Sequence, residues 1–94
     1  MGLITYFIKR RFRNSVRKGF YTCVHNAMRQ NRDIMKEDRE MGEVIIKMEI
    51  TEYYQKLKLE IINPSHHFDL RTITDFEEIL EQEHIKVLNK YLTI

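Results

Sequence analysis

The chain has 94 residues, a formal net charge of +2 and one cysteine, Cys23. That length supports a single small domain, residues 1–94, with one modest core. The lone thiol excludes an internal disulfide, and so a disulfide-stapled secreted scaffold, and points to a reducing intracellular compartment, the cytoplasm first. A hydrophobic share of 43%, five Tyr and five Phe, against one Pro and three Gly, mark a folded domain rather than a disordered tail.

The small net charge conceals a division. Residues 1–32 hold eight basic side chains (Lys9, Arg10, Arg11, Arg13, Arg17, Lys18, Arg29 and Arg32) and no acid. All fourteen acids lie between Asp33 and Glu83, beside the other eight bases, so a +8 head joins a −6 body. Such asymmetry points to a polyanion, a membrane surface or an acidic partner for the head. No apolar run approaches the roughly 20 residues that span a bilayer. The apolar stretch Leu3–Ile8 precedes its charges, the reverse of a secretory signal, and Tyr6 stands where N-myristoylation asks for Ser or Thr. An acid-free, Arg-rich start does match a mitochondrial targeting peptide in composition, which leaves a mitochondrial location as the alternative.

Within the head, Ile4, Ile8, Phe12, Val16, Phe20, Val24 and Met28 recur every four residues. Spacing of four keeps neighbours on one helical face while the stripe drifts by about 40° per step. A helix from about Leu3 to Gln30 that curves around its partner is expected. The charged stretch Lys36–Glu40 extends it, and Gly42 is placed to stop it.

The middle segment reads two ways. As a hairpin centred on Tyr53 and Tyr54, it pairs Ile50 with Leu57, Met48 with Leu59 and Ile46 with Ile61 on one face. The other face pairs Glu49 with Lys58, Lys47 with Glu60 and Thr51 with Lys56. Against it, Tyr-Tyr lacks the Gly or Asn of a two-residue turn. As a helix, the segment gains Glu43–Lys47, Glu52–Lys56 and Lys56–Glu60 at spacing four. It then shows Ile46, Ile50, Tyr53, Leu57 and Ile61 on one side and Val44, Met48, Leu59 and Ile62 nearly opposite. The hairpin is preferred.

Asn63–His67 reads as a loop, Pro64 barring a central strand. Thr74 with Glu77 forms a capping-box signature, and a last helix is expected from about Asp75 to Leu92, its face built from Phe76, Ile79, Leu80, Val87 and Tyr91. The expected fold is therefore α+β: a long N-terminal helix, an antiparallel β-hairpin and a C-terminal helix. The alternative is an all-α three-helix bundle.

Chemistry concentrates in the head. Arg10, Arg13 and Arg17 share one side of its helix, with Arg11 and Lys18 on another, and guanidinium forks suit phosphate oxygens. Tyr6 and Tyr21 offer stacking for exposed bases. The expected phosphate contacts are Arg10, Arg13 and Arg17, supported by Arg11, Lys18 and Tyr21. The competing expectation is an ordinary solvated face or one neutralised by the acidic second half. Helix-turn-helix, RNP and zinc-finger signatures are absent.

Other chemistry is weaker. Cys23, His25, His66 and His67 match no zinc spacing, and Cys23 and His25 diverge by roughly 200° on a helix. Cys23 reads as a small buried hydrophobe. His66, His67 and Asp69 suggest a His–carboxylate pair, with no activated nucleophile or phosphate loop beside them. Glu83 and His84, which interrupt the last apolar face, read as a polar rim. No enzyme, metal, cofactor or small-molecule substrate is expected. The bare edges of an isolated hairpin would invite dimerisation or addition to a partner's sheet. The expected function is a non-enzymatic protein that binds nucleic acid or another polyanion through the first helix. The alternative is a protein–protein inhibitor or adaptor that docks on an acidic partner or forms a homo-oligomer. A peripheral membrane-surface binder, with Leu3–Ile8 as an apolar tip before Lys9, Arg10 and Arg11, ranks third.

Overall fold

The four-residue apolar rhythm of the head forms one continuous helix, α1 (Gly2–Gln30), as expected. The computed structural model describes residues 2–63 and 68–91. Asn31 ends α1, where its side-chain amide donates to the Ala27 carbonyl at 2.9 Å. A short helix α2 (Arg32–Glu37) follows and breaks at Asp38, whose backbone is extended (φ −140°, ψ 100°). The Asp38 carboxylate accepts from the Met41 amide at 3.1 Å and so caps α3 (Arg39–Ile61). The expected extension through Lys36–Glu40 is thus two helices with a one-residue corner. Gly42 does not stop a helix. It lies buried inside α3, where an added Cβ would stand 3.0 Å from Cγ of Met35 on α2.

The β-hairpin, and with it the α+β class, is overturned. Residues 43–61 are helical throughout, no strand occurs among the described residues, and the three-helix bundle is the correct alternative. Tyr53 and Tyr54, lacking turn chemistry, are core contacts: the Tyr53 ring lies 5.0 Å from Phe20 on α1, and the Tyr54 ring stacks 4.2 Å from His84 on α4. The alternation that resembles a strand is a helix with two apolar faces. Ile46, Ile50 and Ile61 are buried, whereas Met41, Val44, Met48, Leu59 and Ile62 face outward. Strand addition at a hairpin edge falls with the hairpin.

The last helix, α4 (Leu70–Tyr91), starts five residues before the expected Asp75. Its cap is Asp69, whose carboxylate accepts from the Thr72 amide at 2.7 Å. Thr74 sits inside the helix, its hydroxyl donating to the Leu70 carbonyl at 2.9 Å. Leu92, Pro64, His66 and His67 lie outside the described residues.

Cross-helix contacts set the directions. Lys9 meets Asp75, Phe12 stacks on Phe76 at 4.1 Å and Tyr21 packs on Tyr91, so α1 and α4 run parallel. Phe20 with Tyr53 and Cys23 with Glu49 make α3 antiparallel to α1. The shared core joins Val16, Phe20 and Val24 of α1 to Ile46, Ile50 and Ile61 of α3 and to Phe76, Leu80 and Val87 of α4. Because Gly19 abuts Tyr53, residue 61 of α3 reaches only about as far as residue 11 of α1. The first two turns of α1 therefore project past the end of α3.

Gly19 permits the close approach of α1 and α3: an added Cβ would stand 1.7 Å from the Tyr53 hydroxyl oxygen. Gly19→Ala must displace the Tyr53 ring and is expected to lose about 1–3 kcal/mol in urea denaturation, typical of core overpacking.

Candidate functional site

Helix periodicity sorts the α1 cations into two groups. Lys9 and Arg13 fall near the inward side, Arg10 and Arg17 at its margin within about 20° of each other, and Arg11, Lys18 and Arg29 on the outer surface. The inward group is occupied by α4. Arg17 donates through Nη2 to Glu83 Oε1 at 2.7 Å and through Nε to Glu83 Oε2 at 3.5 Å. Arg13 donates through Nη1 to Glu83 Oε1 at 3.5 Å and through Nη2 to Gln82 Oε1 at 2.8 Å. Lys9 pairs with Asp75 at 3.1 Å. Two of the three expected primary phosphate contacts are thus used within the molecule.

Glu83, expected at a polar rim, is 2% exposed. Burial pushes its carboxyl pKa up, but the hydrogen bond from Arg17 and the charges of Arg17, Lys86 and Arg13 outweigh burial and hold it below the ordinary carboxylate value. Its acid partnership was legible only as an interruption of the α4 apolar face. Nothing in the spacing of one helix names the arginines of another.

His84 is half-buried against the core. Its ring stacks on Tyr54 and lies 6.0 Å from Phe20, and its buried Nε2 has no hydrogen-bond partner. Burial lowers its pKa from the ordinary imidazole value, against an opposing pull from Glu81, and so favours the neutral ring. Tyr54 donates its hydroxyl proton to Glu81, and that bond, with burial, pushes the phenol up to about 12.

The outer group faces away from α4, while Arg10 lines the cleft between α1 and α4 with Asp75 and Glu78. Arg10, Arg11 and Lys18 are exposed and make no ion pair among the described residues, and Arg29 bonds only the Asn26 amide oxygen at 3.1 Å. Arg11, Lys18 and Arg29 lie within about 20° of one another around α1, with Asn14, Ser15 and Thr22 between them. Tyr21 is half-buried, its ring against Tyr91 and under the Lys90 ammonium at 4.7 Å, so it is not an open stacking platform. Lys90 thereby brings an α4 cation onto an α1 ring, a contact the sequence did not place there. Shallow clefts of about 650 Å³ and 460 Å³ flank this surface. The first lies between α1 and α4 around Arg10, Arg13 and Asp75, the second along α1 from Asn14 to Asn26.

Cys23 and His25 diverge. The thiol faces α3, 3.5 Å from the Glu49 carbonyl, while His25 lies 6.4 Å from Tyr91. Burial, then the charges of Glu49 and Glu52, push the thiol pKa up and keep it protonated. Among the described residues no cluster of three or more His, Cys, Asp or Glu is disposed to hold a metal, and no helix is long and apolar enough to cross a membrane. Asp69, the expected partner of the loop histidines, is the α4 cap instead. Comparison with protein-family models, curated proteins and solved structures yields no significant match.

Three outcomes test this arrangement. Arg17→Ala leaves a buried carboxylate short of its main partner and is expected to lose about 3 kcal/mol of stability. Glu83→Gln frees arginines that already reach water and should lose about 1 kcal/mol in the same urea titration. For His84 the folded pKa is depressed, so its contribution to stability is complete above the unfolded value and declines as pH falls below 6.5. Glu83 declines likewise, but only below 4.5. His84→Phe should remove the upper decline in denaturation midpoints measured from pH 7 down to about pH 3, and leave the lower one.

Proposed function

We propose that this chain is a non-enzymatic polyanion-binding module, contacting nucleic acid or another dense array of phosphates through the outer face of α1. One observation carries the proposal: Arg10, Arg11 and Lys18 are exposed on a rigid helix and have no acid partner among the described residues. A guanidinium or ammonium held this way loses little side-chain freedom on meeting phosphate and releases condensed counterions when it does. Arg29 extends the row toward the far end of α1. Arg13 and Arg17 act differently from the sequence expectation: they hold α4, through Glu83, so that the outer face is presented.

A protein–protein module is the second reading, favoured by the outward apolar stripe of α3, Met41, Val44, Met48, Leu59 and Ile62. The two readings separate by salt. Contact with phosphate through three cations gives a logarithmic salt slope of about −2.7 on a duplex. In a fluorescence anisotropy titration with a short labelled duplex, Arg11→Ala with Lys18→Ala should flatten that slope by about 2. Absence of duplex binding at low salt overturns nucleic acid as the polyanion. Binding that ignores salt and fails on Met48→Ser assigns the contact to α3.

A further inference from the structure

The same end of the molecule that carries Arg10 and Arg11 carries an apolar tip. Leu3 is 67% and Phe7 55% exposed, Tyr6 and Ile8 are exposed beside them, and the Tyr6 and Phe7 rings pack edge to face at 5.7 Å. These residues occupy the two turns of α1 that overhang α3, so among the described residues α3 does not cover them, while Tyr6 lines the cleft toward α4. Because α4 runs parallel to α1, its first turn arrives at this end too and adds Leu70, fully exposed in practice at 80%. That turn also brings one acid and one base, Asp69 and Arg71, which cancel.

Resting on the polyanion reading above, we infer that the polyanion is an anionic lipid surface, entered by the first two turns of α1. Those turns are about 10 Å long, the depth to which interfacial helices sink their apolar side chains. Arg10 and Arg11 follow within one turn and so stand at the level of lipid phosphates when Leu3 and Phe7 reach the acyl boundary. Tyr6 suits that boundary, its ring apolar and its hydroxyl wet. A nucleic acid would use the cations but leave Leu3, Phe7 and Ile8 in water. A surface with charge above and hydrocarbon below uses both.

The test is co-sedimentation of the full chain with vesicles of phosphatidylcholine alone and of phosphatidylcholine mixed with phosphatidylserine. Binding is expected only to the anionic vesicles. Leu3→Ser with Phe7→Ser should weaken it at least about tenfold, and each of Arg10→Gln and Arg11→Gln about fivefold. All four positions are solvent-exposed, and an unchanged thermal unfolding curve verifies that each variant folds. Met48→Ser, on the outward face of α3, should leave binding intact. The duplex titration runs in parallel. Duplex binding without vesicle binding, vesicle binding indifferent to the tip variants, or vesicle binding lost on Met48→Ser overturns the lipid assignment and leaves polyanion recognition standing. Binding to neither overturns both.

Discussion

A single buried carboxylate organises this bundle. Glu83 has lost almost all contact with water, and an isolated charge in that position would be strongly unfavourable. It is tolerated because Arg17 approaches it with two nitrogens and Arg13 with a third, both from α1. Apolar packing alone is permissive about how far two helices slide along one another. A forked ion pair is not, because a shift of one turn would strand the carboxylate. Glu83 thereby sets the register of the parallel pair α1 and α4, with Lys9–Asp75 and Tyr21–Tyr91 falling into place on either side.

The register in turn determines which cations remain. A helix with basic residues all round must bury some against its neighbours, and in α1 the buried share meets acids supplied by α4. The outer share, Arg10, Arg11 and Lys18, faces water. The net charge of the head is thus divided between holding the fold and facing outward, a division that formal charge counts cannot express. The overhang of α1 adds the other half of the surface chemistry. An α3 that continued past Ile61 in the same direction would have covered the tip, whereas α3 ends near the level of Arg11.

A second constraint sits on the opposite side of α1. Gly19 has no side chain, and Tyr53 occupies the space a Cβ would need. Phe20, the next residue, meets the same ring and reaches toward His84, which Tyr54 stacks from the other side. This chain of rings crosses all three long helices. The buried, unpartnered Nε2 of His84 is the polar flaw within it, and it makes the core sensitive to acid before the carboxylates titrate.

Residue pattern by itself determined α1, because a four-residue apolar period over nearly thirty positions has no extended-chain equivalent. It also determined the existence of α4 and the identity of its packed face, Phe76, Ile79, Leu80 and Val87. It did not determine α3. An apolar residue at nearly every second position satisfies a strand with one buried face and equally a helix with two apolar faces. Local charge pairs support both, so the choice rests on partners. Tyr53 and Tyr54 decide it by packing on Phe20 and His84, residues more than twenty positions away in either direction. Tertiary structure alone also decided the fate of the arginines. Whether a guanidinium is free depends on the distance to a carboxylate on another helix, and that distance is set by the packing of the whole bundle.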